Sequence, residues 1–197
     1  MPRIDPLPRE DLKEFDDFFN MAEAVMGFVP NSLLTLGRKP EILRAFSGLM
    51  TAVYGPGKIA PDLRSLVSYV ASNASGCLYC QAHTAHTAHG MAVSGEKLEA
   101  AFEFETSALF TDAERAALRV AAHGAVVPNA VTDEDFDELR KHYDEEEIVE
   151  IVTTISLFGF LNRWNSTMAT ELEATPLRFA KEKLAHTGWE AGKHAAK

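Results

Sequence analysis

Cysteine, tryptophan and long apolar runs are scarce in this chain of 197 residues. Its two cysteines, Cys77 and Cys80, lie too close in sequence for a disulfide bond between them to stabilise the fold. In a reducing compartment such a pair is typical of reactive or metal-binding thiols. No apolar run approaches the roughly 20 residues that a membrane span requires. Residues 1–15 also lack the basic region and apolar core of a secretory signal. We therefore expect a cytoplasmic protein with no membrane partner.

Positive charge is also in short supply. The chain has 19 Lys and Arg residues against 29 Asp and Glu residues, which gives a formal net charge of −10. Because binding to a phosphate backbone needs clustered cations, we expect no nucleic-acid partner. With 46% hydrophobic residues, the chain can bury an ordinary core without disulfide bonds. We expect a single domain over residues 1–197.

The spacing of apolar residues predicts an all-α fold. The β-branched run IVEIVTTI resembles a strand, but Ile148, Ile151 and Ile155 recur at helical spacing. Helix boundaries are also visible in the sequence, as stops, first-turn prolines and N-caps. They are Gly27 as a stop, Pro40 in a first turn, Ser94 and Thr111 as N-caps, and either Thr132 or Asp133 as a further N-cap. The tail Glu190–Lys197 is expected to be frayed.

The segment Ser75–Gly90, SGCLYCQAHTAHTAHG, holds both cysteines and three histidines. On a helix, Cys77, Cys80 and His83 share one face. Free amides and the positive dipole end at the helix start favour the thiolate of Cys77. His83, one turn after Cys80, can act as its base or its ion-pair partner. The spacing predicts a redox dithiol, in which one thiolate attacks and the other thiol resolves the product into a disulfide.

Two other interpretations of this segment stay open. The two cysteines with His83 and His86 could be four zinc ligands, although ligands along one straight helix cannot easily surround a metal tetrahedrally. The cysteines could also pack as small apolar residues. Either would make the protein a non-catalytic or metal-binding helical module. His86 and His89 are interpreted as surface or interface residues, and the polar stretch Asn162–Asn165 as pocket lining, a cap or an interface.

The stretch SNASGCLYCQAHTAHTA resembles the thiol motif of the carboxymuconolactone decarboxylase family, in particular its alkylhydroperoxidase D-like, peroxidase-related branch. The stretches GFVPNSLLTLGRKPEILRAF and FTDAERAALRVAAH resemble what precedes and follows the motif in that branch. The resemblance covers roughly residues 20–170. It implies an alkylhydroperoxidase D-like helical bundle that assembles as a homo-oligomer, a trimer or a hexamer.

The resemblance also implies an activity and site roles. The dithiol would reduce a peroxide substrate and be reduced again by a thiol reductant protein. Cys80 would be the attacking thiol and Cys77 the resolving thiol, with His83 as general base and Tyr79 as a proton-relay donor. We predict no bound cofactor and no metal.

The sequence departs from the family pattern at two positions. Ser65 stands twelve residues before Cys77, where the family has a glutamate, and Thr84 stands where the relay histidine is usual, with His83 beside it. A serine hydroxyl cannot replace a carboxylate in proton transfer. We therefore expect that no buried anion serves the site, so that thiolate formation depends on the helix terminus and His83 alone.

Overall fold

Ten α-helices form the framework of residues 1–195, the part of the chain that the computed structural model describes. They are α1 (Asp16–Met26), α2 (Asn31–Leu36), α3 (Pro40–Tyr54), α4 (Pro61–Ala74), α5 (Leu78–Gly90), α6 (Gly95–Glu99), α7 (Asp112–Gly124), α8 (Asp133–Leu139), α9 (Glu145–Met168) and α10 (Ala174–Lys183). Short 3₁₀ helices cover Arg9–Phe15, Ala100–Phe102, Ala185–Thr187 and Gly192–His194. Within these described residues there is no strand, and the all-α prediction is confirmed.

Polar caps begin several of the helices. Thr111 and Thr132 form capping boxes at the starts of α7 and α8, and Ser94 accepts a hydrogen bond from the Lys97 amide at the start of α6. Each cap supplies an acceptor for an amide that the helix itself cannot pair. Gly27 ends α1 in the left-handed conformation, with φ of 81°. The caps and stop predicted from the sequence are confirmed.

The core is built around the antiparallel neighbours α4 and α5. Helix α4 packs against α5, α7 and α9, and α10 packs against α5. Side chains such as Leu66, Val67 and Leu118 are fully buried between these helices. A second apolar cluster, with Phe19 and Leu43 at its centre, joins α1, α2 and α3 to the outer side of α9. Helix α5, which carries both cysteines, therefore lies deep inside the protein.

Helix α9 is the longest, with 24 residues. The IVEIVTTI run lies within it, so the choice of helix over strand is confirmed. Asp144 caps the helix, and three glutamates occupy its first turn, where they stabilise the positive end of the dipole. No helix in the described part of the chain is long and apolar enough to cross a membrane.

The sequence PREDLKEFDDFFNMAEAVMG, residues 8–27, predicts a single amphipathic helix at the N-terminal end, and the structure differs from prediction at both ends of the chain. The N-terminal helix is broken, because Leu12 has non-helical backbone angles and Arg9–Phe15 is a 3₁₀ segment rather than part of α1. The expectation of a frayed tail is wrong for Glu190–Ala195. Gly192–His194 form a 3₁₀ turn, and the His194 side chain is fully buried, with Nδ1 2.7 Å from the Thr170 carbonyl oxygen. Ala196 and Lys197 lie outside the described residues.

Assembly into an oligomer stays a prediction, with one supporting feature. Large apolar side chains are exposed on three helices: Met21 and Val25 on α1, Ile42 and Leu49 on α3, and Val149 and Phe160 on α9. Exposed apolar surface of this kind is commonly covered by a second copy of a chain. We expect light scattering at micromolar concentration to give a multiple of the chain mass. A mass of 21.6 kDa, that of one chain, would contradict the prediction.

Candidate active site

The two thiols lie at the N-terminal end of α5, directly after a break in the helical path. Gly76 takes a left-handed conformation with φ of 66°, which glycine adopts without steric cost. Cys77 follows as the extended N-cap residue of α5. The first amides of a helix, here including those of Tyr79 and Cys80, have no acceptor within it and give that end a partial positive charge. The first thiol therefore lies at the positive end of α5.

The two free thiols ionise unequally. The Cys80 thiol donates a hydrogen bond to the Cys77 sulfur, and with the two amides it lowers the pKa of Cys77 despite burial. Burial raises the pKa of Cys80 well above its ordinary value, and the neighbouring charge of Cys77 raises it further. The first thiolate to form is therefore on Cys77, while Cys80 keeps its proton.

A buried amide from α9 faces the second thiol. Asn165 Nδ2 donates to Cys80 Sγ over 3.4 Å, and this contact works against the rise in the pKa of Cys80. The orientation of the amide is set on its other side, because the Thr170 hydroxyl donates to Asn165 Oδ1 over 2.8 Å. The NH₂ group of Asn165 is thus held toward sulfur. It stabilises a negative charge on Cys80 when one forms.

A buried carboxylate, that of Glu173, contacts the two ring side chains of the site, Tyr79 and His83. Glu173 Oε1 accepts from the Tyr79 hydroxyl over 2.9 Å, and Oε2 lies 2.6 Å from His83 Nε2. The Tyr79 and His83 rings stack with centroids 4.1 Å apart. Burial raises the pKa of Glu173, but the charge and hydrogen bond of His83 and the Asn31 amide outweigh it, so the pKa falls below its ordinary value. Glu173 is therefore an ionised carboxylate inside the protein.

An apolar cavity of about 310 Å³ opens above the dithiol. Its polar lining comes mainly from one side of α5 and from Asn165. The apolar lining includes Phe18, Met21, Ala22, Val25 and Met26 of α1, Phe46 and Met50 of α3, and Phe158 and Leu161 of α9. Cys80 and His83 line this cavity, whereas the fully buried Cys77 does not. A small apolar molecule in the cavity would therefore meet the Cys80 sulfur.

The comparisons with known proteins agree on a family. Residues 40–123 match the model of the carboxymuconolactone decarboxylase family. The debrominase Bmp8 has a similar structure, with a TM-score of 0.86 and 38% sequence identity over 91% of this chain and 96% of Bmp8. The chain belongs to the carboxymuconolactone decarboxylase family.

Other known proteins resemble this chain at lower sequence identity or over a smaller part of its length. YnjA of Escherichia coli is 33% identical over 108 residues, which span 55% of this chain and 59% of the length of YnjA. A peroxidase-related protein from Ralstonia eutropha, described as an alkylhydroperoxidase core, shares the fold with a TM-score of 0.74. It has 24% identity over 88% of this chain and 90% of its own. A cysteine-to-alanine variant of Bmp8 has been solved in complex with 2,3,4-tribromopyrrole.

The structure brings the four predicted site residues of this family member together. Cys77, Tyr79, Cys80 and His83 all lie in the first two turns of α5, and all four are buried. His83 pairs with Glu173 and lines the same cavity as Cys80, and its role as general base stays a prediction. Among residues 1–195, no group of three or more His, Cys, Asp or Glu side chains could hold a metal ion.

The other two histidines of the motif, His86 and His89, lie away from the dithiol. His89 is exposed, and His86 is half-buried with its ring 5.5 Å from that of Phe179 on α10. Burial and the neighbouring His83 and His89 lower the pKa of His86. These residues thus lie between α5 and α10 rather than at the two thiols.

The expectation that no buried anion serves the site is wrong. Ser65 occupies the family's glutamate position, but its hydroxyl donates to the Pro61 carbonyl over 2.9 Å, and the residue does not line the dithiol cavity. Glu173 supplies the carboxylate instead, from the N-cap position of α10. No sequence pattern pointed to this residue, because Glu173 lies 93 residues after Cys80 in an ordinary polar stretch. Asn165 had a weak signal, as part of the unusual polar end of α9.

Glu173→Gln removes the buried charge and keeps the size of the side chain. We expect a loss of about 2 kcal/mol in the free energy of unfolding near neutral pH, because hydrogen bonds to a charged group are lost. The pKa of Glu173 is depressed in the folded state, so its contribution is present above the unfolded-state value of 4.5 and is lost as the pH falls through the lower folded value. The difference between wild type and variant should therefore shrink below about pH 4.5.

Urea unfolding of both proteins across this pH range measures the effect. Glu182→Gln, on the exposed side of the same helix, is the matched control and should change little. A difference that stays constant down to pH 3 would show that Glu173 is not ionised in the folded protein.

Proposed function

We propose that this protein is a dithiol oxidoreductase that reduces a small apolar organic substrate by two electrons. One observation carries the proposal. Cys80 is the thiol that lines an apolar cavity, while Cys77, the buried N-cap residue of α5 three positions before it, does not line that cavity. This is the arrangement that attack by one thiol and resolution by the other requires.

The groups that can transfer protons in the site support Cys80 as the attacking thiol and Cys77 as the resolving thiol. His83 takes one proton from the dithiol, and the Glu173 carboxylate stabilises the imidazolium that results. The thiolate rests on Cys77, and transfer of the remaining proton from Cys80 to Cys77 places the charge on Cys80. There the Asn165 amide donates to it at the cavity surface.

With an organic hydroperoxide, the Cys80 thiolate attacks the terminal peroxide oxygen and the O–O bond breaks. Cys80 becomes a sulfenic acid, and the alkoxide takes a proton from the His83 imidazolium, directly or through Tyr79. Neutral His83 then accepts the Cys77 proton. The Cys77 thiolate attacks the Cys80 sulfur and releases hydroxide, which is protonated to water. The products are an alcohol, water and a disulfide, and a thiol reductant protein restores the dithiol.

The similarity to Bmp8 favours a second candidate substrate, a halogenated aromatic ring. Here the Cys80 thiolate takes the halogen from a ring carbon, and that carbon receives the proton from the Tyr79–His83–Glu173 group. Neutral His83 accepts the Cys77 proton, and the Cys77 thiolate then attacks the Cys80 sulfur and displaces halide, so that ring C–H, halide and disulfide are formed. The apolar lining of phenylalanine, methionine and leucine fits either an alkyl chain or an aromatic ring.

Intact mass measurement distinguishes the candidates. Reduced protein is mixed with stoichiometric cumene hydroperoxide or with 2,3,4-tribromopyrrole, and the mass of the Cys77–Cys80 peptide is followed. Loss of two hydrogens with the hydroperoxide supports peroxide reduction, and the same loss with release of bromide from the pyrrole supports dehalogenation. If neither compound oxidises the dithiol, the proposal is wrong.

The cysteine variants test the order of the thiols. Cys80→Ser should abolish consumption of the reactive substrate. With hydroperoxide, Cys77→Ser should stop after one turnover with a sulfenic acid on Cys80, because no second thiol can resolve it. Trapping with dimedone followed by peptide mass spectrometry locates the modified sulfur. A sulfenic acid on Cys77 in the Cys80→Ser protein would reverse the assigned roles.

A further inference from the structure

A second cavity, of about 430 Å³, lies next to the dithiol cavity. Tyr54, Gly55 and Met91 line both cavities, so the two spaces adjoin at these residues. Burial raises the pKa of Tyr54 to about 12, and the charges of Arg64 and Cys80 act on it in opposite directions, Arg64 lowering it and Cys80 raising it.

The second cavity differs from the first in having a buried arginine in its lining. The Arg64 side chain is only 6% exposed, yet its hydrogen bonds are few and long. One terminal nitrogen lies 3.3 Å from Glu150 Oε2, the other lies 3.5 Å from the Gly55 carbonyl oxygen, and Nε has no partner. A guanidinium has five N–H donors and keeps its charge at any ordinary pH. Most of its donor capacity is therefore unused.

Glu150 does not neutralise this arginine in the usual forked manner. Its Oε1 accepts from the Lys58 amide over 2.8 Å, and its Oε2 accepts from the Ile59 amide over 3.2 Å. The carboxylate thus holds the loop before α4 and offers Arg64 a single long contact rather than a bidentate pair. The Lys58 ammonium pairs elsewhere, with Asp144 and Glu146.

We propose that Arg64 binds the carboxylate of a substrate whose apolar part occupies the dithiol cavity. The substrate class is an apolar organic acid, in which the reducible group meets Cys80 and the acid group passes Tyr54 to reach the guanidinium. A carboxylate fits better than a phosphate because Arg64 is the one charged side chain among the described residues that line this cavity. The assignment rests on the proposed function, since it places the acid relative to the dithiol cavity.

Octanoate and octanamide form a matched pair of probes, because they have the same chain and differ in charge. Calorimetric titration of the reduced protein should show octanoate binding at least about tenfold more tightly, as expected for one charge-assisted hydrogen bond. Neither probe can be reduced by a thiol. Equal affinity for the two probes would overturn the assignment on the wild-type protein alone.

Two variants localise the effect. Arg64→Gln should abolish the preference for octanoate, and Arg64→Lys should keep part of it, because the charge remains while the fork of donors is lost. Arg163→Gln, an exposed arginine on α9, is the control and should keep the full preference. If Arg64→Gln does not fold, the Lys variant and a titration of the Arg64 side-chain NMR signals with octanoate decide the point.

The outcomes separate this inference from the proposed function. A full preference for octanoate in both Arg64 variants would place the anion site elsewhere and overturn the assignment. Thiol oxidation by hydroperoxide or bromopyrrole without any preference for octanoate would leave the oxidoreductase supported and the Arg64 site rejected. Preference for octanoate without any thiol oxidation would do the reverse, retaining the anion site and rejecting the chemistry.

Discussion

The buried carboxylate of Glu173 joins three distant parts of the chain at one point. It accepts hydrogen bonds from the Asn31 amide at the start of α2 and from the Tyr79 hydroxyl, and it pairs with His83 on α5. Taking a charge out of water is costly unless several donors replace the water, and here each oxygen has at least one. The position of α10 against α5, the stacking of Tyr79 on His83 and the ionisation of the site therefore all depend on this one side chain.

In the dithiol, the thiol with the lowered pKa and the thiol that lines the cavity are different residues. The Cys80 thiol and the helix amides lower the pKa of Cys77, which is fully buried and does not line the dithiol cavity. Cys80 faces the cavity, but burial and the neighbouring charge keep it protonated. The thiol whose ionised form is stabilised is therefore not the thiol that a molecule in the cavity would meet, and the proposed proton transfer between the two sulfurs would bring the charge to Cys80.

The dithiol cavity lies where the two apolar clusters of the protein meet. Helices α1 and α3 belong to the N-terminal cluster, and α5 belongs to the central one, with α9 packed between them. Because most of the cavity lining is apolar, water has few partners inside it beyond those on α5 and Asn165, and an organic molecule is favoured over a polar one. Helix α1, which follows the 3₁₀ segment Arg9–Phe15, contributes to this apolar lining, because it supplies five of the residues that line the cavity.

Local patterns in the sequence were sufficient to predict the helices, the caps at Thr111 and Thr132, and the placement of Cys77, Cys80 and His83 on one helical face. These features depend on residues within a turn or two of each other, where spacing alone sets the geometry. The partners of that face could not be predicted in the same way. Glu173, Asn165 and Arg64 reach their sites through the packing of α10, α9 and α4, and no local spacing encodes which side chains such packing brings together. Tertiary structure therefore decided that a carboxylate serves the site from α10 rather than from position 65, because only burial against Tyr79 and His83 gives the Glu173 side chain its partners.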